Sequence, residues 1–286
     1  MPLGMGLGLT SQRNQASGYV SPYDADAQAY FDKIASLGGA TPADAKKTII
    51  NDLVLALKAA SLWTIMDAIE LHAFNDVTTS LINLVNPAIV GSKIGGLSDA
   101  KWTVNKGWMG DTDKCISTGV NLTTTTNFTG AGGTLGVYFT VARTPATINP
   151  IGSRASVTEK CNGMTQISVN TMRGYILSSS ASYPATTEYL HSNTGMLSIS
   201  LNGTDKLNRL YKDGAILTQL DETARYGAGN LYDGYVYVCA MNDGGTVANP
   251  MVTGNIGISF ICADMASAQH LALSGIFDTF ITALSA

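Results

Sequence analysis

The stretch Leu207-Asn-Arg-Leu-Tyr-Lys-Asp-Gly-Ala-Ile-Leu-Thr-Gln219 predicts two short strands joined by a tight turn. Its Asp213-Gly214 pair favours a type I′ turn, which needs positive φ at both central residues. The hairpin lies inside a longer region, residues 101–263, that has short alternating apolar runs and glycine-rich turns throughout. This pattern is typical of an antiparallel β-sandwich.

Nine runs in this region are predicted to be strands. They are rich in β-branched and aromatic residues and are bounded by turn-forming residues. They lie near residues 117–121, 135–142, 165–170, 174–178, 196–201, 207–212, 215–219, 234–241 and 254–262. Strands this short, at this spacing, make the chain mainly β.

The sandwich, placed at residues 87–263, is flanked by segments of other character. Residues 24–86 are predicted to be a small helical bundle. Asp24 or Asp26 caps its first helix, and Thr41-Pro42 starts its second. A third helix is expected from Ser61, and a short fourth over 76–84. Residues 264–286 carry apolar residues at three- and four-residue steps, which predicts a C-terminal helix packed back on the bundle or the sandwich.

The N-terminal residues 1–23 are predicted to be an extended arm. Glycine alternates with four apolar residues, namely Leu3, Met5, Leu7 and Leu9. In an extended chain this period places Met5, Leu7 and Leu9 on one face. Two interpretations remain open: a disordered terminus, or a segment that binds along another protein as an added strand.

Composition excludes some functions and leaves others open. Only 13% of residues are charged and the net charge is −4, which argues against nucleic acid as a partner. No run approaches the length of a transmembrane helix, so no membrane partner is expected. The four cysteines form no CxxC motif. Free thiols are the favoured prediction, and disulfides remain the alternative, because four cysteines allow three pairings.

The sequence offers little for catalysis, and we expect no enzyme activity, cofactor or metal. It has four glutamates, none in the paired pattern that a sandwich glycosidase needs. The three histidines, His72, His191 and His270, are far apart in the sequence, and the first and last lie on predicted helices. We expect them to be ordinary surface or part-buried residues. Trp102 and Trp108 can be interpreted in two ways: exposed rings that stack on a sugar, or buried anchors in the core or an interface.

Three stretches together resemble a group of bacteriophage and prophage structural proteins that carry a concanavalin A-like (laminin-G-like) sandwich, or jelly roll. They are the helical lead from Ala29 through Leu62-Trp63 to Asn86-Pro87, the segment Gly107–Asn121, and Ala240–Gly245 with the following strand and C-terminal helix. The likeness covers about residues 25–286. One departure is Met265-Ala266-Ser267, where relatives often carry a Thr-Asp helix cap.

The resemblance implies a virion component: a decoration, head-fibre or tail-associated subunit, anchored by its N-terminal region and displaying the sandwich outward. Its partners would be other virion proteins and copies of itself, in a trimer or a shell-symmetric array. The alternative is a carbohydrate-binding module that adheres to host-surface glycans. An exposed aromatic residue on a sandwich face or loop rim would favour the carbohydrate-binding module over a purely structural virion protein.

Overall fold

The computed structural model describes residues 21–144, 147–156, 160–168, 171–178, 194–202, 204–221 and 231–286. Within them the α-helices are α1 (Ala25–Ser36), α2 (Asp44–Ala59) and α3 (Ser267–Ser285). The strands are β1 (Met66–Glu70), β2 (Ser92–Ile94), β3 (Trp102–Thr103), β4 (Gly107–Trp108), β5 (Cys115–Asn121), β6 (Gly132–Val141), β7 (Ile148–Arg154), β8 (Cys161–Ser168), β9 (Thr171–Ser178), β10 (Gly195–Asn202), β11 (Leu207–Lys212), β12 (Ala215–Asp221), β13 (Tyr235–Val238), β14 (Met241–Asp243), β15 (Thr246–Ala248) and β16 (Asn255–Cys262).

The strands form two sheets that make the sandwich. The main sheet has the order β12-β11-β10-β6-β16-β4-β3, with β1 also paired to β16. The second sheet has the order β15-β14-β7-β13-β5-β2, and β8 extends it from β7 to β9. Among the described strands, β14 and β7 pair in parallel and the other pairs are antiparallel. The predicted mainly β sandwich is confirmed.

The molecule has three layers, because the main sheet is buried on both faces. Its inner face meets the second sheet in a core that includes Leu135, Val137 and Ile199. Its outer face carries Tyr138 and Phe260, which pack with apolar residues from all three helices. The order is therefore helices, main sheet, second sheet.

The first two helices begin and end close to their predicted positions. The Asp24 side chain accepts a hydrogen bond from the backbone N–H of Asp26 and caps α1, as predicted. Gly38, with φ of +69°, follows the end of α1. The start predicted for α2 was wrong by two residues: the helix begins at Asp44 with Ala43 at the N-cap and no side-chain cap.

The two further helices predicted between residues 61 and 86 were wrong. Residues 63–65 and 79–81 form single 3₁₀ turns, and Met66–Glu70 forms β1, paired with β16. This strand is buried on both sides, so its apolar residues do not alternate with polar ones. Periodicity alone does not separate such a strand from a buried helix. The main sheet therefore extends into the region that was predicted to be helical.

The predicted hairpin and C-terminal helix are confirmed. Asp213 and Gly214 have φ of 49° and 83°, as a type I′ turn requires, and they join β11 to β12. The helix α3 packs both on α2 and on the outer face of the main sheet. The arm residues Leu3, Met5, Leu7 and Leu9 lie outside the described residues.

Candidate functional site

The structure places the two tryptophans proposed for sugar stacking in different environments. Trp108 is 0% exposed, and its Nε1 donates to the hydroxyl of Ser80 at 2.8 Å. The stacking role considered for Trp108 was therefore wrong, because its ring is buried in the hydrophobic core. Trp102 is half-buried, and its Nε1 donates to the carbonyl of His72 at 2.7 Å. A stacking role for Trp102 stays a prediction.

A buried polar cluster joins β1 to β16. The hydroxyl of Ser259 donates to Glu70 Oε2 and lies 2.9 Å from His72 Nε2. His72 Nδ1 lies 2.8 Å from the carbonyl oxygen of Ser80. Sequence reasoning placed Glu70 and His72 on a helix; they lie on β1 and in the turn after it.

Burial controls the protonation of this cluster. Removal from water raises the pKa of Glu70 to about 8, although the hydrogen bond from Ser259 opposes that shift. Burial also lowers the pKa of His72 to about 4. At neutral pH the carboxyl therefore holds its proton and the imidazole is neutral, so the pair carries no charge in the core.

Serine, histidine and glutamate are the residue types of a hydrolytic triad, but this cluster has no route for a substrate. Each of the three side chains is at most 1% exposed. A triad also needs a nucleophile paired with a base at a surface that the substrate reaches. We assign the cluster a structural role, in which it holds β1 and the 79–81 turn on β16.

The second described histidine is also buried, at the N-terminal end of α3. The His270 ring stacks on Tyr211 with centroids 3.6 Å apart, and its Nδ1 lies 3.0 Å from the Ser198 hydroxyl. Burial lowers its pKa to about 3. Both of these histidines were predicted to be surface or part-buried residues, which was wrong. His191 lies outside the described residues.

An exposed aromatic residue lies at one end of the second sheet. Tyr235 begins β13, pairs with Asn121 of β5, and is 54% exposed. The Asp233 carboxylate accepts a hydrogen bond from Asn121 Nδ2 at 2.7 Å and lies 3.4 Å from the Thr123 hydroxyl oxygen. These four residues, Asn121, Thr123, Asp233 and Tyr235, are called the Tyr235 rim below.

The rim is held in place by the strands beneath it. Asn242 Nδ2 donates to the carbonyl of Tyr235 at 2.7 Å, which fixes the start of β13. The Asn121 side-chain oxygen accepts from both the N–H and the hydroxyl of Thr123, at 3.0 and 2.8 Å. Asn121 also lines an adjoining polar cleft of about 100 Å³ together with Asn86 and Thr124.

This arrangement suits a ligand with several hydroxyl groups. The phenol ring offers an apolar face with a polar edge. The carboxylate accepts hydrogen bonds, while the amide and hydroxyl groups both donate and accept. In the described part of the chain, no group of His, Cys, Asp and Glu is arranged to hold a metal ion. Sequence reasoning missed Tyr235, whose signal was an Asp-Gly turn directly before a tyrosine that starts a strand.

No protein-family model matches the sequence, and no curated protein matches it. Solved structures do match its fold. A mutant of Trypanosoma rangeli sialidase displaying trans-sialidase activity aligns with a TM-score of 0.53 at 12% identity, over 82% of this chain and 39% of that one. The Trypanosoma rangeli sialidase aligns over the same shares with a TM-score of 0.51 at 13% identity.

A carbohydrate-binding module, the CBM40 of Ruminococcus gnavus IT-sialidase, aligns with a TM-score of 0.40 at 13% identity, over 51% of this chain and 84% of that one. At these identities the trypanosomal likeness shows the fold alone, which is a jelly-roll-type β-sandwich. The chain spans 39% of the length of each trypanosomal structure. No helix of the described residues has the length and apolar character needed to cross a bilayer.

Proposed function

We propose that this chain is a non-enzymatic carbohydrate-binding module and that the Tyr235 rim is its binding site. The observation that carries the proposal is the exposure of Tyr235 beside Asp233 and Asn121. An exposed aromatic residue on a loop rim is the feature that separates a glycan-binding sandwich from one used only for assembly. Tyrosine is also among the residues that most often dominate binding energy at interfaces.

The test is a glycan array followed by calorimetric titration of each hit with the wild type and with Tyr235→Ala. We expect at least a tenfold weaker Kd for Tyr235→Ala, about 1.4 kcal/mol. Ile216→Ala is the matched control, because Ile216 is a similarly exposed apolar residue on the main sheet. The array should include sialyllactose, which is bound in a structure of the Ruminococcus gnavus CBM40, and lactose, which lacks the sialic acid.

Three outcomes would count against the proposal in different ways. Equal affinity of the wild type and Tyr235→Ala would remove the rim as the site. Binding to no glycan would remove the function. Release of a cut product from a bound glycan would show an enzyme, contrary to the proposal.

A second candidate function is a bacteriophage virion structural protein, located on the particle and bound to other virion proteins and copies of itself. The observation that favours it is the exposed side of α3. Leu271 is 63% exposed there, and the one charged side chain of the helix, Asp278, accepts a hydrogen bond from Tyr138. A helix that faces only water normally carries a charged face. Mass spectrometry of purified particles tests this candidate, and absence of the chain would reject it.

A further inference from the structure

An apolar groove lies between α2 and α3 on the helical side of the molecule. Its volume is about 380 Å³. Its lining is mostly small, aliphatic and aromatic and includes one carboxylate; the lining residues used below are Asp52, Ala56, Ala272, Gly275, Thr279 and Ala283. A Cβ atom built on Gly275 meets no atom within 4 Å, so the space above this helix position is open.

We propose that this groove binds the Leu3–Leu9 segment of a second copy of this chain. The segment carries apolar side chains at every second residue, with glycine between them. In an extended conformation, side chains on one face recur at about 6.6 Å. The α3 residues along the groove, from Ala272 to Ala283, span about 17 Å at the rise of an α-helix. That length holds three such side chains, while the intervening glycines let the backbone lie close to the helices.

The position where the described chain begins supports a second copy as the source of the segment. The N–H of Asp24 donates to Asn51 at 2.7 Å, and Lys58 pairs with Asp24 at 2.6 Å. On the helical wheel of α2, Asn51 and Lys58 lie on the side opposite Asp52 and Ala56, which line the groove. The described chain therefore begins on the flank of α2 that faces away from the groove.

The chain is long enough to reach a neighbour. About a dozen residues separate Leu9 from Ser21, and at about 3.3 Å each they extend to about 40 Å. An arm that leaves one side of a subunit and binds the other side of the next gives a head-to-tail contact, which closes into a ring at a suitable rotation. The inference concerns assembly and does not depend on glycan binding at the Tyr235 rim.

The experiment uses two variants, one that removes the N-terminal segment and one that blocks the groove. One lacks residues 1–20. The other carries Gly275→Leu, whose side chain enters the open space of the groove. Size-exclusion chromatography with light scattering should give an oligomer for the wild type and monomers for each variant alone. Thr282→Leu, an exposed position on α3 outside the groove, is the matched control and should stay oligomeric.

A mixture of the two variants tests whether the segment of one chain binds the groove of another. The Gly275→Leu chain keeps an intact arm and the truncated chain keeps an intact groove, so the mixture should form a 1:1 dimer. A monomeric wild type, an oligomeric Gly275→Leu variant, or a mixture that stays monomeric would each overturn the inference. Circular dichroism of both variants shows whether they are folded.

A cysteine pair, Leu7→Cys with Thr279→Cys, then identifies the source of the segment. The four native cysteines are buried, so the introduced pair can be oxidised selectively. A disulfide between chains supports the inference. A disulfide within one chain would show that the arm covers its own groove and would overturn it.

Discussion

Glu70→Gln should change how the stability of this protein depends on pH. Glu70 is 1% exposed, and burial raises its pKa from 4.5 to about 8. Between those values the folded chain keeps a proton that the unfolded chain releases. The free energy of unfolding should therefore fall as pH rises through this range, because alkali favours the state that binds fewer protons.

The size of the effect follows from proton linkage. One proton corresponds to about 1.4 kcal/mol per pH unit. His72 and His270 act in the opposite direction below pH 6.5, because their folded pKa values are lowered to about 4 and about 3. The unfolded histidines take up protons there, while the folded ones stay neutral. Stability should therefore peak near pH 6.5. It should fall by about 1 kcal/mol between pH 6.5 and 8, because the decline due to Glu70 is partly offset as the unfolded histidines lose their remaining protons.

The assay is urea unfolding followed by tryptophan fluorescence at half-unit steps from pH 5.5 to 8.5. The wild type should lose stability above pH 6.5, and Glu70→Gln should show no such decline. Asp44→Asn, an exposed change on α2, should keep the wild-type curve. A decline that persists unchanged in Glu70→Gln, or a wild-type curve without a decline, would refute the assignment of the buried proton to Glu70.

Three further substitutions test other contacts through the same unfolding assay. Trp108→Phe should lower stability by about 2 kcal/mol, because it removes the hydrogen bond to Ser80 and leaves a small void. Gly136→Ala should cost about 1–3 kcal/mol, because the added Cβ would lie 2.1 Å from the Phe260 ring. Asp67→Ala should cost about 3 kcal/mol, because its carboxylate accepts hydrogen bonds from three successive backbone N–H groups at residues 126–128.

Local signals in the sequence were enough to predict much of the fold. Each of the nine predicted strands overlaps a strand of the structure, because their apolar and β-branched runs are bounded by turn residues. The run predicted over 234–241 divides into β13 and β14 at Cys239, which has a positive φ. The Asp213-Gly214 turn and the Asp24 cap depend on one or two neighbouring residues, so their chemistry is visible in the sequence. Strand β7 was missed because Pro150 and Gly152 lower its apparent β propensity. The prediction of four free thiols is confirmed.

The candidate sites depend on contacts between distant residues, which one sequence does not reveal. The Ser259 side chain meets Glu70 and His72 across 187 or more residues. The Tyr235 rim joins Asn121 to Asp233, 112 residues apart. Both tryptophans were candidates for stacking on a sugar, because residue type alone does not show whether a side chain is buried. The misassigned helix over 66–70 has the same cause, since its pairing partner lies almost 200 residues later.

The order of the layers determines how the two proposed surfaces relate to each other. The α2–α3 groove lies on the helical layer, which covers the outer face of the main sheet. The Tyr235 rim belongs to β5, β13 and their adjoining turns, in the second sheet on the far side of the sandwich. Contacts made through the helices therefore leave the rim free and present it outward. An assembly built by arm exchange would carry one rim in each copy, so a weak affinity at each rim would give strong attachment wherever several rims reach the same ligand-bearing surface.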